Sequence, residues 1–153
     1  MIAPDFAANR LALEPILIDL IATQVTGLSE VGGPAKFGRA LQKGVKSASA
    51  YVLFSREIVE PAPPGSHALP QWFSQVWEVA LMVPITLSDE VVSNAPAGAL
   101  MSALIATLTG WTWDATHHSP RLERINTDAD QTVYTDGYVH LFLTFQVSNL
   151  VLN

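Results

Sequence analysis

Residues 75–85 read Gln-Val-Trp-Glu-Val-Ala-Leu-Met-Val-Pro-Ile, and their alternation sets the architecture of the chain. Successive side chains of an extended segment point to opposite faces, so every second residue shares a face. One face is wholly apolar and consists of Trp77, Val79, Leu81, Val83 and Ile85; the other carries Glu78, Ala80, Met82 and Pro84. The pattern predicts a long strand facing a core. Pro84 indicates a strand end or a sheet edge, because proline has no N–H for the ladder.

A second long strand is predicted near the C-terminal end of the sequence. Asp136-Gly137 favours a two-residue hairpin turn, since both central residues of that turn need positive φ. It would join residues 132–135 to residues 138–148, whose alternating apolar face is Val139, Leu141, Leu143, Phe145 and Val147. Residues 50–54 and 121–125 predict two shorter strands.

Helical periodicity occurs in three further segments. Residues 15–25 and 96–108 space their apolar residues as a buried helix face does, and residues 35–43 predict a short helix. Pro15 suits the first position of its helix, and Gly110 a left-handed C-cap. Hairpins dominate and no βαβ alternation persists. The sequence therefore predicts a single α+β domain over residues 1–153, in which helices pack on one face of an antiparallel sheet.

Composition limits the classes of function. Hydrophobic residues make up 49% and charged residues 14%, which excludes a disordered chain and favours apolar surface hidden between copies. The net charge is −6, and 8 Lys+Arg form no basic stripe for nucleic acid. There are 0 Cys, so disulfides and thiolate chemistry are excluded. No secretion signal or membrane span is expected, because the longest apolar run, residues 100–108, is too short.

No nucleophile or phosphate-binding motif occurs, and no cofactor or metal is expected. The best enzyme hypothesis is a small metal-binding site at His117 and His118, with Asp114 and Glu123 nearby. Adjacent histidines diverge on extended backbone, and no H-x-x-x-H pair supports them, so solvated loop histidines are the favoured interpretation. Asp128 and Asp130 resemble the start of a calcium loop, but the ligand and glycine positions that should follow are missing.

Large aromatic residues are the strongest candidates for contact surfaces. Trp77 follows the inward alternation and is predicted in the core. Trp72 and Phe73 are adjacent and must diverge if extended, so one of the two is expected to face a partner or a loop. A ligand-binding module with an aromatic pocket around Trp72 and Trp111 stays open as an alternative.

Several segments in succession resemble the tail terminator (tail completion) proteins of long-tailed bacteriophages, including Mu-like phages. The resemblance is a pattern over most of the chain. It comprises an N-terminal helix leading to Thr26-Gly27-Leu28-Ser29-Glu30-Val31, the strand at 50–54, a proline-rich excursion, the strand at 75–83, an Ala/Leu-rich helix, Gly110-Trp111, Ser119-Pro120, and Tyr134-Thr135-Asp136-Gly137-Tyr138 running into the strand at 141–147.

The resemblance implies a curved sheet with helices packed on it and a structural, non-enzymatic role. It implies a six-membered ring that caps the head-proximal end of the tail tube, stops polymerisation and offers a surface to the head connector. Partners would be further copies of the chain, the tail tube protein, neck proteins and the tail sheath as a further candidate. DNA would pass through without specific binding, and no membrane is involved. A head–tail connector or adaptor is the alternative within the same class.

On this view the protein would reside in the tail or neck of the virion after assembly in the host cytoplasm. Contacts are expected from sheet edges and from two loop segments, residues 61–71 and 114–136. The apolar anchors predicted for the interface are Trp72, Phe73 and Trp113. Further interface candidates are Pro63, Pro64, His117 and Asp136.

Overall fold

The computed structural model describes residues 3–61, 64–65, 71–85, 95–114, 119–127, 132–135 and 137–151. Its elements follow in the order α1 (Leu13–Gln24), β1 (Glu30–Gly32), α2 (Pro34–Lys43), β2 (Ser49–Val59), β3 (Trp72–Pro84), α3 (Ala95–Leu108), β4 (Leu122–Ile125), β5 (Thr132–Thr135) and β6 (Tyr138–Val151). None of the helices in the described ranges has the length and apolarity of a membrane-spanning segment.

The six described strands form one open, mixed sheet in the order β1-β2-β3-β6-β4, and β5 also pairs with β6. All pairs are antiparallel except β1 with β2, which is parallel. The predicted α+β class is confirmed. The parallel pair was not predicted, because a strand of three residues carries almost no periodic signal.

One edge of the sheet is built from two short strands in succession. β4 pairs with residues 144–147 of β6, and β5 pairs with residues 138–141. Both lie on the side of β6 that faces away from β3, because β3 occupies the other side along the same residues. The β4 and β5 strands therefore form one interrupted edge strand, and the opposite edge is β1.

The larger core lies between one sheet face and two helices. The apolar face of β3 packs with the buried stripe of α1, which is Leu13, Leu17 and Ile21, and with Leu104 and Leu108 of α3. Trp77 is fully buried there, as predicted. β6 contributes Val139, Leu143, Phe145 and Val147 to the same cluster, so its predicted apolar face is also confirmed.

The third helix covers the opposite face of the sheet. Ala40 of α2 shares a second buried cluster with Tyr51, Ala80 and Met82, and Phe37 packs edge-on against Phe142 at 6.3 Å between ring centroids. The expectation that all helices share one face therefore needs correction. The reason is topological: parallel strands cannot be joined by a hairpin, and α2 is the crossover between β1 and β2.

Two helix boundaries depend on local backbone chemistry. α1 begins at Leu13, two residues before Pro15, which the first turn accommodates because its N–H would have no partner there. Gly110 follows α3 with φ 78°, in the left-handed conformation that the sequence predicted. Its N–H donates to the Leu122 carbonyl at 2.7 Å, and Leu122 N–H donates to Trp111 O at 2.9 Å. These bonds fix the end of α3 against the start of β4.

The core can be tested with two leucines of opposite exposure. Leu143→Ala removes a side chain buried at 1% exposure in β6, and the cavity should cost about 2–5 kcal/mol of unfolding free energy. Leu41→Ala, at 47% exposure on α2, should change that free energy by less than about 0.5 kcal/mol. Urea unfolding of the monomeric chain measures both, and equal losses would contradict this assignment of the core.

Candidate functional site

The two adjacent aromatics at the start of β3 point in opposite directions, as the sequence predicted. Trp72 is 44% exposed, whereas Phe73 is 0% exposed and belongs to the core cluster. Trp72 is thus available to a partner. Phe73 is not, and its expected place among the interface anchors is corrected: its ring is enclosed by its own chain.

Phe73 is held by the N-terminal segment. The Phe6 ring meets it edge-on at 5.7 Å, and the Arg10 guanidinium carbon lies 4.4 Å from its ring centroid. Arg10 also forms an ion pair with Glu57 of β2, at 3.0 Å. Gln75 Nε2 donates to the Arg10 carbonyl at 2.6 Å. Sequence reasoning missed this arrangement, because its members are far apart in the chain, as Arg10 and Gln75 are at 65 positions, and share no motif.

Trp113, the third predicted anchor, is half-buried at the rim of the same aromatic group. Its ring lies 6.1 Å from Phe6 and 6.3 Å from Trp111, edge-on to both. Such edge-to-face pairs add about 0.5–1.5 kcal/mol to the burial of the rings. Trp113 therefore has a structural role in its own chain, and only its exposed portion is available to a partner.

Exposed large hydrophobic residues concentrate along the sheet. The end of β2 exposes Ile58 and Val59 beside Trp72, and β5 exposes Val133 and Tyr134. β1 covers only residues 49–51 of β2, so the second half of β2 has no described strand on its outer side. The sequence predicts contacts at the sheet edges. Both edges of the described sheet expose apolar side chains.

A basic groove lies between α2 and the start of β2. It encloses about 390 Å³ and contains four of the eight Lys and Arg residues: Lys36, Arg39, Lys43 and Lys46. The Tyr51 hydroxyl donates to Glu30 Oε1 at 3.0 Å at its floor, and burial raises the pKa of Tyr51. Sequence reasoning missed the groove, although Lys36, Arg39 and Lys43 follow the i, i+3, i+7 spacing of one helix face.

A second groove of about 600 Å³ runs along α1 and is mainly apolar, with Asp5 and Asp19 in its lining. Trp72 and Trp111 line neither of these two grooves. These two grooves therefore do not support the alternative of an aromatic ligand pocket around Trp72 and Trp111.

The remaining predicted site residues are divided between described and undescribed segments. Pro64 lies exposed in a turn with Gly65. Pro63, His117, His118 and Asp136 lie outside the described residues, and so does the alternative metal site at His117 and His118. Within the described ranges, no group of three or more His, Asp or Glu side chains could hold a metal ion.

His140 is the one buried histidine among the described residues. It stacks on Tyr138 at 4.8 Å between ring centroids, and its Nε2 has no hydrogen-bond partner in the described part of the chain. Burial lowers the pKa of His140 below its ordinary value of 6.5. The side chain is therefore neutral in the folded protein near neutral pH.

The described part of the chain is an α+β domain whose features available for contact are apolar sheet edges and a basic groove. The chain belongs to the phage tail terminator family, whose model matches residues 7–151. No curated protein matches the chain. The family is structural rather than enzymatic, so the chain is a virion component that works with other phage tail or head proteins.

The two aromatics at the start of β3 should respond differently to truncation. Phe73→Ala leaves a cavity at a fully buried core position and should lower the unfolding free energy by about 3–5 kcal/mol. Trp72→Ala should cost less than about 1 kcal/mol and should weaken association of the chain with its partners. Urea unfolding and sedimentation of the two variants measure these effects. A Trp72→Ala variant that associates as the native chain does would remove Trp72 from the interface.

His140 should make stability dependent on pH. The folded protein holds His140 neutral, so below about pH 6.5 the unfolded chain binds a proton that the folded chain does not. Stability should therefore fall as the pH drops from about 6.5 towards the lowered pKa of the folded state. Urea titrations at about pH 7.5 and about pH 5.5 should show a smaller loss for His140→Gln than for the native chain. Equal losses would contradict the role of His140.

Proposed function

We propose that the chain forms a closed six-membered ring that caps the head-proximal end of the tail tube. The ring stops further polymerisation of the tube and presents the surface to which the head connector attaches. The observation that carries this proposal is the family match over residues 7–151, nearly the whole chain. The ring partners are copies of this chain, the tail tube protein, neck proteins and, in a contractile tail, the sheath.

The surface chemistry supports a protein that acts through contacts. A ring needs heterologous contacts, in which two different patches of each subunit meet and the rotation closes. The sheet offers two different edges with exposed apolar side chains, near Ile58 and Val59 on one side and at Val133 and Tyr134 on the other. A low charged fraction of 14% agrees with surface that is covered in an assembly.

The charge balance supports passage of DNA through such a ring. The chain carries 14 Asp+Glu against 8 Lys+Arg. Binding to a duplex depends mainly on cations that neutralise phosphates, and an acidic protein provides few of them. Half of those cations are gathered in the groove beside α2 and so do not form a continuous track.

Tail-tube polymerisation in the presence of the purified chain tests this function. The chain should shorten the tubes and add a ring at one tube end, seen by negative-stain microscopy, and native mass spectrometry should show a species of six chain masses. Thr23→Ala, at an exposed position on α1, is the matched control and should act as the native chain does. Unchanged tube lengths, with binding only to an isolated connector, would instead indicate a head–tail adaptor.

A further inference from the structure

The second half of β2 is an open edge of the described sheet. β1 pairs only with residues 49–51, whereas β2 continues to Val59. The open half carries Arg56, which is exposed and forms no ion pair with any described residue. Ile58 and Val59 follow it at 41% and 46% exposure. This edge therefore offers an available cation beside apolar side chains.

β4 lies at the opposite edge of the sheet and carries charges of its own. Glu123 and Arg124 are both exposed, and neither forms an ion pair within the described part of the chain. The outer backbone groups of Leu122 are occupied, because Leu122 bonds to Gly110 and Trp111. A neighbouring molecule would therefore meet mainly side chains at this edge.

The open half of β2 and the strand β4 lie on the same rows of the sheet. One row of paired residues consists, in order across the sheet, of Arg56, Val76, Gln146 and Glu123. The rows beside it connect the same two strands, so residues 53–57 of β2 are level with residues 122–125 of β4. Arg56 and Glu123 are thus level with each other at opposite edges.

The charges of the two edges are opposite on each face of the sheet. Directly paired residues share a face, so Arg56 and Glu123 lie on the same one. Glu57 and Arg124 both lie on the other face, on the rows to either side. β2 and β6 are each antiparallel to β3, and β4 is antiparallel to β6, so β2 and β4 run in opposite directions. On each face, one edge therefore carries an acid and the other a cation.

Arg56 and Glu123 are too far apart to pair within one chain. β3 and β6 lie between β2 and β4. Three spacings of about 4.8 Å separate the two edges by about 14 Å, whereas an ion pair needs about 4 Å. Copies arranged around an axis parallel to the strands bring the open half of β2 in one copy level with β4 of the next.

We propose that the open half of β2 in one copy packs against β4 of the next copy, and that Arg56 of the first binds Glu123 of the second. The proposal rests on the proposed ring. The contact joins two different surfaces, so it repeats from copy to copy, as a closed ring requires. Arg and carboxylate groups favour a bidentate geometry, which fixes the level at which neighbours meet.

The other residues of the two edges have supporting roles. Glu57 already binds Arg10 of its own chain at 3.0 Å, so it contributes less charge to the contact than Arg56 does. Ile58 and Val59 of one copy lie close to the level of the half-buried Trp111 of the next, which is bonded beside Leu122. These apolar side chains supply buried area, while the charges select the neighbouring surface.

Exchange of the two charges tests the contact. Arg56→Glu and Glu123→Arg each place like charges opposite one another and should raise the concentration needed for assembly by about tenfold. The double variant Arg56→Glu/Glu123→Arg restores an opposite pair and should return to within about threefold of the native value. Mass photometry over a concentration series measures all three. Because the two positions cannot pair within one chain, recovery reports a contact between copies.

Arg56→Glu/Asp19→Arg is the matched control. It keeps the native net charge, and Asp19 is exposed on α1 outside both edges, so this variant should assemble as weakly as Arg56→Glu does. All variants should keep the native urea midpoint, since the changes lie at exposed positions. Recovery in the control, no recovery in the exchanged pair, or native-like single variants would overturn the contact and leave the proposed function standing. A native chain that forms no ring, alone or on tubes, would overturn both.

Cysteine cross-linking gives a second measurement without background, because the native chain has no Cys. At a concentration at which the ring forms, a bismaleimide shorter than about 14 Å should join Arg56→Cys/Glu123→Cys chains into a ladder up to the full ring. Each single variant should give at most a dimer, and Asp19→Cys/Glu123→Cys should give no ladder. A ring of the double variant without a ladder, or a ladder from the Asp19 variant, would contradict the contact.

Discussion

The burial of β3 on both of its faces is the constraint on which the other features depend. One face meets α1 and α3 through Trp77, Val79 and Leu81, and the other meets α2 through Ala80 and Met82. A shift of one residue would exchange the two faces and bring Trp77 to the side where Ala80 is fully buried. The register of β3 with β2 and β6 is therefore strongly specified. Because every row of the sheet passes through β3, the same constraint fixes which residues of the two outer edges lie level with each other.

The parts of the fold that the sequence predicted are those with a long periodic signal. β3, β6, α1 and α3 each show an uninterrupted apolar face, and alternation or helical spacing is enough to identify them. β1 has three residues, and the second half of β2 mixes Arg56 and Glu57 with Ile58 and Val59, so neither carries a clear period. The side on which α2 packs followed from the parallel pairing of β1 with β2, which is a property of the chain path and not of the helix itself.

The contact surfaces were predictable only in part, for a related reason. Alternation requires Trp72 and Phe73 to diverge, but it cannot say which of them turns inward. That choice depends on Phe6 and Arg10, which reach Phe73 from the other end of the chain. The basic stripe of α2 is visible in the sequence as a helix face, yet its meaning depends on its position beside β1. A helix of the same sequence elsewhere on the surface would be an ordinary solvated face.

Charge has an unusual weight in a chain with so few ionic groups. Single exposed ion pairs contribute about 0–1 kcal/mol, so four cations cannot supply the affinity of an assembly. Their separation from the carboxylates matters more: residues 29–51 carry four cations and one acid, whereas no cation follows Arg124. Such an asymmetry costs little in the folded monomer, because the like charges are spread over a helix face and a loop in contact with water. Like charges on two copies of this segment repel each other, so the asymmetry disfavours a contact between two copies of the α2 edge. An exposed sheet edge tends to pair with any other exposed edge. Charge near the edge restricts that pairing, while the apolar edge residues contribute buried surface area to the permitted contact.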